Sequence, residues 1–234
     1  MIDIVMITAG TRFALLTQSL ASLKKYSIST IEQLILVSDG WMPKPDELHF
    51  IRDHVTTFIV NVTHPGASAA RNCGANLIPS YRRSPYLMFC DDDVYACPGW
   101  DQQLLKTCTL LPNYVLSGHA HPYNHPLDTY RNYDDRRIQA TAVLSTVQLF
   151  MCWKIWDQIG YFALPGGPGG SEDVDWSKRA TAAGYGLAVT DPMCIVHTGL
   201  TGSSGTPLIG QHLVIERNRE IEKHYHIEGV IQYA

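Results

Sequence analysis

No uninterrupted apolar run in the 234 residues reaches the roughly 18 that a membrane-spanning helix requires. The longest candidate, Gln139 to Trp153, is broken by Thr141, Ser145, Thr146 and Gln148. The amino terminus, Met1-Ile2-Asp3-Ile4, lacks the basic start and small-residue cleavage site of a secretory leader. Positive charge is in deficit: 18 Lys and Arg face 22 Asp and Glu, a formal net charge of -4. That balance argues against a general binder of nucleic acid. No two cysteines have CxxC spacing, so a cysteine-ligated zinc site has no support. With no leader, Cys73, Cys90, Cys97, Cys108, Cys152 and Cys194 read as free thiols in apolar surroundings rather than a disulfide framework. Glycine-rich phosphate cradles are missing too: no GxGxxG follows the first apolar run, and no GxxxxGK[ST] occurs anywhere. These absences leave a cytoplasmic protein as the expectation.

The composition that is present, 45% hydrophobic and 17% charged, is that of a packed globule. The length suffices for one sizeable core. Ile2 to Thr8 is a short apolar run suited to a buried strand. Phe13, Leu16, Leu20 and Leu23 recur at spacings of three and four, one apolar face of a helix. Leu34 to Val37, Val55 to Val62 and Tyr86 to Cys90 predict further strands, and Gly66 to Ile78 and Pro98 to Leu111 predict helices. This β-α-β order implies a mostly parallel, Rossmann-like sheet covered by helices. The second half is less regular. His119 to Arg137 reads as a long polar loop and Ile138 to Leu144 as a strand. Trp153 to Ile159 and Glu172 to Ala183 read as helices, with Leu187 to Val189 and Met193 to Val196 as short strands. Leu164 to Gly170 and Gly199 to Gly210 are glycine-rich loops, and Gln211 to His226 is a polar terminal helix. The expectation is one domain, 1–234, with a regular half (1–98) and a site-building half (99–234).

In open α/β sheets, ligands bind outside the carboxyl ends of the strands. Two predicted strands end there in acid, at Ser38-Asp39 and at Asp91-Asp92-Asp93. Three adjacent carboxylates repel one another, and a divalent cation would relieve the repulsion. If the strand continued, Asp91 and Asp93 would point one way and Asp92 the other, so that one acid could hold a metal and another a ribose hydroxyl. A solvated acidic turn is the alternative. Ser171-Glu172-Asp173-Val174-Asp175-Trp176 opens a helix after a glycine-rich loop. Its acids either stabilise the helix dipole or place a general base at a cleft. His197 ends an apolar strand as a structural residue or as a third metal partner. Arg71 interrupts a small-residue helix, on its exterior or toward a nucleotide. His119, His121 and His125 lack an acidic or cysteine partner at zinc spacing, so an acceptor loop is the better reading. Arg131, Arg136 and Arg137 alternate with Asp134 and Asp135 as a solvated face. Trp100 and Trp176 read as half-buried packing residues, and either could offer an apolar platform to a sugar ring.

The order and spacing of these segments resemble the GT-A glycosyltransferases, most closely glycosyltransferase family 2, from about Ile2 to Gly199. Val5 to Thr8 with Thr11-Arg12 resembles the family's first strand and turn, and Leu34 to Asp39 the strand carrying a uracil-binding aspartate. Gly66 to Asn72 is similar to the Ala-Arg-Asn helix, Asp91-Asp92-Asp93 to the DxD motif, and Trp153 to Phe162 to the segment before the acceptor loop. Gly169 to Trp176 is similar to the Glu-Asp motif and also resembles the β-1,4-galactosyltransferases; His197-Thr198-Gly199 is similar to the metal-binding histidine segment. The resemblance implies that Thr8, Asp39 and Arg71 contact the nucleotide and that Asp91 holds the ribose beside Asp92. It implies that Asp93 and His197, with Asp91 near, bind Mn2+ or Mg2+. Asp173 would be the catalytic base, Glu172 would orient the acceptor, and Trp176 would line the acceptor site. The implied partners are a nucleotide-sugar donor, a UDP-sugar, and a glycan or glycoconjugate acceptor.

Two departures bear on base and sugar specificity: Thr8-Ala9-Gly10-Thr11-Arg12 replaces Pro-Thr-x-Asn-Arg, and Gly40 stands where a second acid is common. The Q-x-x-R-W motif of processive synthases is absent, which points to transfer of a single sugar. The rival readings are a sugar nucleotidyltransferase, which Gly10-Thr11-Arg12 and Pro43-Lys44-Pro45 suggest, and a non-catalytic sugar-nucleotide-binding module.

Overall fold

The computed structural model describes residues 1–61, 66–119, 130–133, 136–163 and 172–198, together with Arg219 and Lys223. Its centre is a nine-stranded mixed sheet. The first four strands to form it are β1 (Ile2–Thr8), β2 (Ile31–Asp39), β3 (Thr57–Asn61) and β4 (Tyr86–Asp91). They run parallel in the order β3-β2-β1-β4, as the β-α-β pattern requires. Between them lie helices α1 (Phe13–Tyr26), α2 (Pro45–His54) and α3 (Ala67–Asn76).

The sheet then changes character. β5 (Val94–Ala96) leaves it, and α4 (Trp100–Leu110) leads to β6 (Tyr114–Ser117). β7 (Tyr130–Tyr133), inside the segment expected to be a long loop, pairs antiparallel with β8 (Arg136–Ala140), which starts at the end of that segment and covers the first part of the strand expected at 138–144. β9 (Gln148–Cys152) inserts antiparallel between β4 and β6, and α5 (Trp153–Ile159) follows it. α6 (Glu172–Ala182) leads to β10 (Gly186–Asp191), which pairs parallel with β6 and antiparallel with β8. β11 (Ile195–His197) pairs with β5 as a separate two-stranded sheet. The sheet is therefore parallel in its first half and mixed in its second.

Alternation along the strands sorts the core into two faces. Ile2, Ile4 and Met6 of β1 and Met88 and Cys90 of β4 pack with Leu16, Leu20 and Leu23 of α1 and with Trp100 of α4. Val5 of β1 and Leu87 and Phe89 of β4 pack on the other side with Ala70 and Ala75 of α3, Trp153 and Trp156 of α5, and Trp176 of α6. The small residues of α3 have a structural reason. A Cβ added at Gly74 would stand 2.3 Å from Val5 and 3.0 Å from Val37, so only glycine lets the helix lie this close to β1 and β2.

All six thiols are free. Cys108 on α4 and Cys152 at the end of β9 bring their sulfurs to 3.7 Å. Among the described residues no helix is long and apolar enough to cross a membrane. The loops expected at 164–170 and 199–210, and the helix expected at 211–226 apart from helical Arg219 and Lys223, lie outside the described residues.

One buried acid ties the sheet to the second half of the chain. Asp3 Oδ2 accepts the Ser84 N–H at 2.8 Å and the Trp153 Nε1–H at 2.9 Å. Burial raises the Asp3 pKa, and these two donors oppose the rise. Asp3→Ala orphans both donors and should cost about 2–4 kcal/mol in urea unfolding, whereas Asp3→Asn keeps an acceptor oxygen and should cost clearly less. Equal losses in the two variants would show that the hydrogen bonds are not what Asp3 contributes.

Candidate functional site

The carboxyl ends of β1, β2 and β4 come together in register, with Thr8 opposite Ser38 and Ile7 opposite Asp91. Strand alternation still governs the first two acids. Asp91 follows Leu87 and Phe89 toward α3, where Arg71 donates to it at 2.6 Å. Asp92 follows Met88 and Cys90 toward α1, where it accepts from Thr8 Oγ1 at 2.5 Å and Arg12 Nη2 at 3.1 Å. The expectation that Asp93 returns to the side of Asp91 is corrected. The strand ends at Asp91 and the chain turns, so period two no longer applies. Asp93 joins Asp92 on the same guanidinium, with Arg12 Nη1 2.6 Å from its Oδ2.

That turn is held by its backbone. The Ser19 hydroxyl of α1 lies 2.8 Å from the Asp92 carbonyl oxygen and 2.6 Å from that of Val94, and it accepts the Val94 N–H. Thr198 donates both its N–H and its hydroxyl to the Asp93 carbonyl, at 2.7 and 2.8 Å. Pairing of β11 with β5 sets His197 opposite Val94 and brings its Nε2 to 3.0 Å from Asp93 Oδ2. The first turn closes beside this cluster. Gly10 adopts a positive φ of 72°, and a Cβ there would stand 2.0 Å from the Trp41 ring, so the indole lies directly against the turn.

Arg71 joins the two halves of the chain. It is 2% exposed and bonds Asp91 with Nη2, while its Nη1 lies 3.4 Å from Glu172 Oε1 at the start of α6. Thr8 and Arg71, expected to contact a nucleotide, face these acids. Asp39 accepts the Gly66 N–H on both oxygens, at 3.0 and 2.9 Å, beside the amino end of α3. Asp173 is half-buried and accepts the Val174 N–H at 2.8 Å.

The reading of Trp176 as an acceptor platform is corrected. It is buried in the core, donates its Nε1–H to the Gly160 carbonyl at 3.0 Å, and stacks near Trp156. An indole enclosed on α6 by Trp156 and Phe162 has no face to offer a sugar. Trp100 is likewise fully buried. His119 stands where the loop begins, just after β6, but is buried, its ring 5.6 Å from that of His197. His121 and His125 lie outside the described residues. Arg12 is the principal residue that sequence reasoning left without a role. Its signal was present in the Thr11-Arg12 turn, but no spacing rule connects it to acids 80 and 81 positions away.

The charges shape the acids differently. Burial and the neighbouring Asp93 push Asp92 up to about 6, against the hydrogen bond from Thr8 and the charge of Arg12. Burial would also raise Asp93, but His197 and Arg12 outweigh it and hold Asp93 down at about 2. Burial raises Asp91 against the charge of Arg71. Burial would lower His197, yet the adjacent Asp93 raises it. Burial raises Asp173 as well.

A divalent cation fits part of this cluster. Asp93 Oδ1 is buried and has no hydrogen-bond partner, and His197 stands beside Oδ2. Among the described residues no three His, Cys, Asp or Glu side chains form a ready-made cation site. Such an ion is commonly held by one or two protein ligands and completed by substrate phosphates, which is what Asp93 and His197 offer.

The model of the family described as "Glycosyl transferase family 2" matches residues 3–168. No curated protein sequence matches the chain. The solved structure of GalNAc-T7 with UDP, GalNAc and Mn2+ superposes with a TM-score of 0.67 at 12% identity, covering 95% of this chain and 47% of that one. S. aureus TarS 1–349 in complex with UDP-GlcNAc superposes with a TM-score of 0.63 at 16% identity, covering 95% of this chain and 65% of that one. The chain thus spans less than two thirds of either, and at these identities the likeness is one of fold.

The acid pair makes a pH prediction. Folding raises Asp92 from an ordinary 3.8 to about 6, so the stability it contributes is full below pH 3.8 and is lost as the pH rises through about 6. The depressed Asp93 acts oppositely, its contribution being lost only as the pH falls through about 2. In metal-free protein, unfolding free energy should fall between about pH 4 and 7, most steeply below pH 6, and Asp92→Asn should remove up to about 2–3 kcal/mol of that fall. An unaltered pH slope in Asp92→Asn would show that Asp92 does not titrate there.

Proposed function

Because the chain belongs to glycosyl transferase family 2, we propose that it is a metal-dependent, inverting enzyme. It moves one sugar from a nucleotide-sugar donor, a UDP-sugar, to a hydroxyl group of a glycan or glycoconjugate. The observation that carries this reading is the acid cluster. Asp91, Asp92 and Asp93 gather at the carboxyl ends of the parallel strands, and Arg71 connects them to Glu172.

Each residue has a part. Asp39 accepts from the base. Asp91, whose side chain is 25% exposed while bonded to Arg71, takes a ribose hydroxyl with its open oxygen. Thr8 and Arg71 act on the nucleotide through Asp92 and Asp91, the acids they hold. Asp93 and His197 are the residues that would hold Mn2+ or Mg2+. When bound, the ion would supply Lewis-acid stabilisation of the diphosphate leaving group.

Asp173 takes the proton from the acceptor hydroxyl, its basicity raised by burial. The hydroxyl oxygen attacks the anomeric carbon from the face opposite the diphosphate. The bond from that carbon to the phosphate oxygen breaks and its electron pair leaves with the diphosphate, so the centre inverts. Glu172, held by Arg71, orients the acceptor. No covalent enzyme intermediate is required.

The reading is tested by nucleotide release from UDP-, GDP-, dTDP- and CMP-sugars with and without Mn2+. Release from one donor, dependent on Mn2+ and lost in Asp93→Ala, is the expected result. Mn2+-dependent UDP binding with no release from any donor would favour a binding module, and absence of both would overturn the nucleotide site. Asp173→Asn should lower transfer by roughly 10²–10⁴-fold while UDP affinity is retained. Full transfer in that variant would remove Asp173 as the base.

A further inference from the structure

Both arginines that hold the acids are well bonded, but they are held differently. Arg71 lies within α3, is 2% exposed, and is fixed at both ends of its guanidinium. Arg12 precedes α1 in a non-helical conformation, φ -134° and ψ 55°, with its side chain 23% exposed. It enters from the rim and spans Asp92 at 3.1 Å and Asp93 at 2.6 Å. The Asp93 Oδ2 it occupies is the oxygen that also faces His197. A divalent ion approaching Asp93 and His197 therefore meets a guanidinium on the same oxygen. Two positive groups sharing that oxygen at about 4 Å or less repel strongly in a partly desolvated site. Asp93 Oδ1 is buried and unbonded, so the carboxylate has an unspent acceptor while its other oxygen is doubly engaged.

We propose that Arg12 is a resident counter-cation of this site. It holds Asp92 and Asp93 together in the metal-free protein, a divalent ion loads by displacing it, and the released guanidinium then engages the donor's diphosphate. This inference rests on the nucleotide-sugar reading and assigns a binding role in it to a further residue. Burial decides which arginine moves: Arg71 is enclosed at 2% exposure, whereas the Arg12 side chain, 23% exposed, reaches the rim of the site. Its destination suits its chemistry. Arg12 sits just beyond the carboxyl end of β1, where ligands of such sheets bind, and a planar fork pairs with phosphate oxygens as it does with carboxylates. Loading is thus an exchange of cations, and the diphosphate favours it by receiving the displaced one.

The test measures Mn2+ binding to metal-free protein by the electron paramagnetic resonance of free Mn2+, without nucleotide, and UDP affinity at saturating Mn2+ by calorimetry. Arg12→Met should bind Mn2+ about tenfold or more tightly than the unaltered protein, and UDP about tenfold or more weakly. Arg12→Lys keeps the charge without the fork and should shift both affinities in the same directions by less. Arg83→Met removes one positive charge at the distant pair with Asp157 and should change neither. Equal or weaker Mn2+ binding in Arg12→Met, or unchanged UDP affinity, overturns the proposal. Should Arg12→Met fail to fold, Arg12→Lys decides by the same two affinities. Mn2+-dependent UDP binding that does not respond to Arg12 overturns this inference alone. Absence of Mn2+ binding from the unaltered protein and from Arg12→Met overturns it together with the metal-dependent reading.

Discussion

Three consecutive carboxylates at the end of β4, two of them buried, are the constraint around which the rest is arranged. Their mutual repulsion in a desolvated turn has to be offset within the fold. Arg71 does so on one face of the sheet, and Arg12 and His197 on the other. Each offset depends on an element placed for it. Gly74 lets α3 lie against β1 and β2, which puts Arg71 under Asp91. The β11 pairing with β5 delivers His197 to Asp93, and Ser19 of α1 holds the carbonyls of the turn. The small-residue helix, the two-stranded sheet and the polar stripe on α1 are then three answers to one electrostatic problem.

Much of this was legible in the chain, and the limits have physical causes. β1 and α5 fall where their patterns place them, because an isolated apolar run and a short aromatic helix need no distant partner to be recognised. β6 and β9 were not read. β9 lies within the apolar stretch from Gln139 to Trp153, and only its insertion between β4 and β6 makes it a strand. α2 went unread although Pro45 and Glu47 mark its first turn; its mean hydrophobic content is low and only Ile51 is buried. At the site, Asp91 and Asp92 obey strand alternation, whereas Asp93 escapes it because the chain turns. Trp176 shares its motif with the acids but faces the core, since the side of α6 that it occupies packs on Trp156. Arg12 is visible in the sequence as part of a turn, but only the pairing of β1 with β4 sets it against the acids.

A site made of carboxylates recognises a diphosphate conditionally. A glycine-rich cradle offers backbone N–H groups to phosphate without help. Asp91, Asp92 and Asp93 would instead present negative charge to such a ligand, and a cation would have to intervene. On the reading proposed above, neither partner is welcome alone. The cation finds Arg12 on its oxygen, and the diphosphate finds acids already paired with arginines. Together each supplies what the other lacks, because the ion takes Asp93 and the freed guanidinium takes phosphate. Arg71 extends the same logic toward catalysis. It holds Asp91 and Glu172 with one rigid group, so that, on the same reading, the position of the donor would be registered by the residue beside the proposed base. A lysine could neutralise either acid but could not span both, which is why the junction between the two halves of the chain is an arginine.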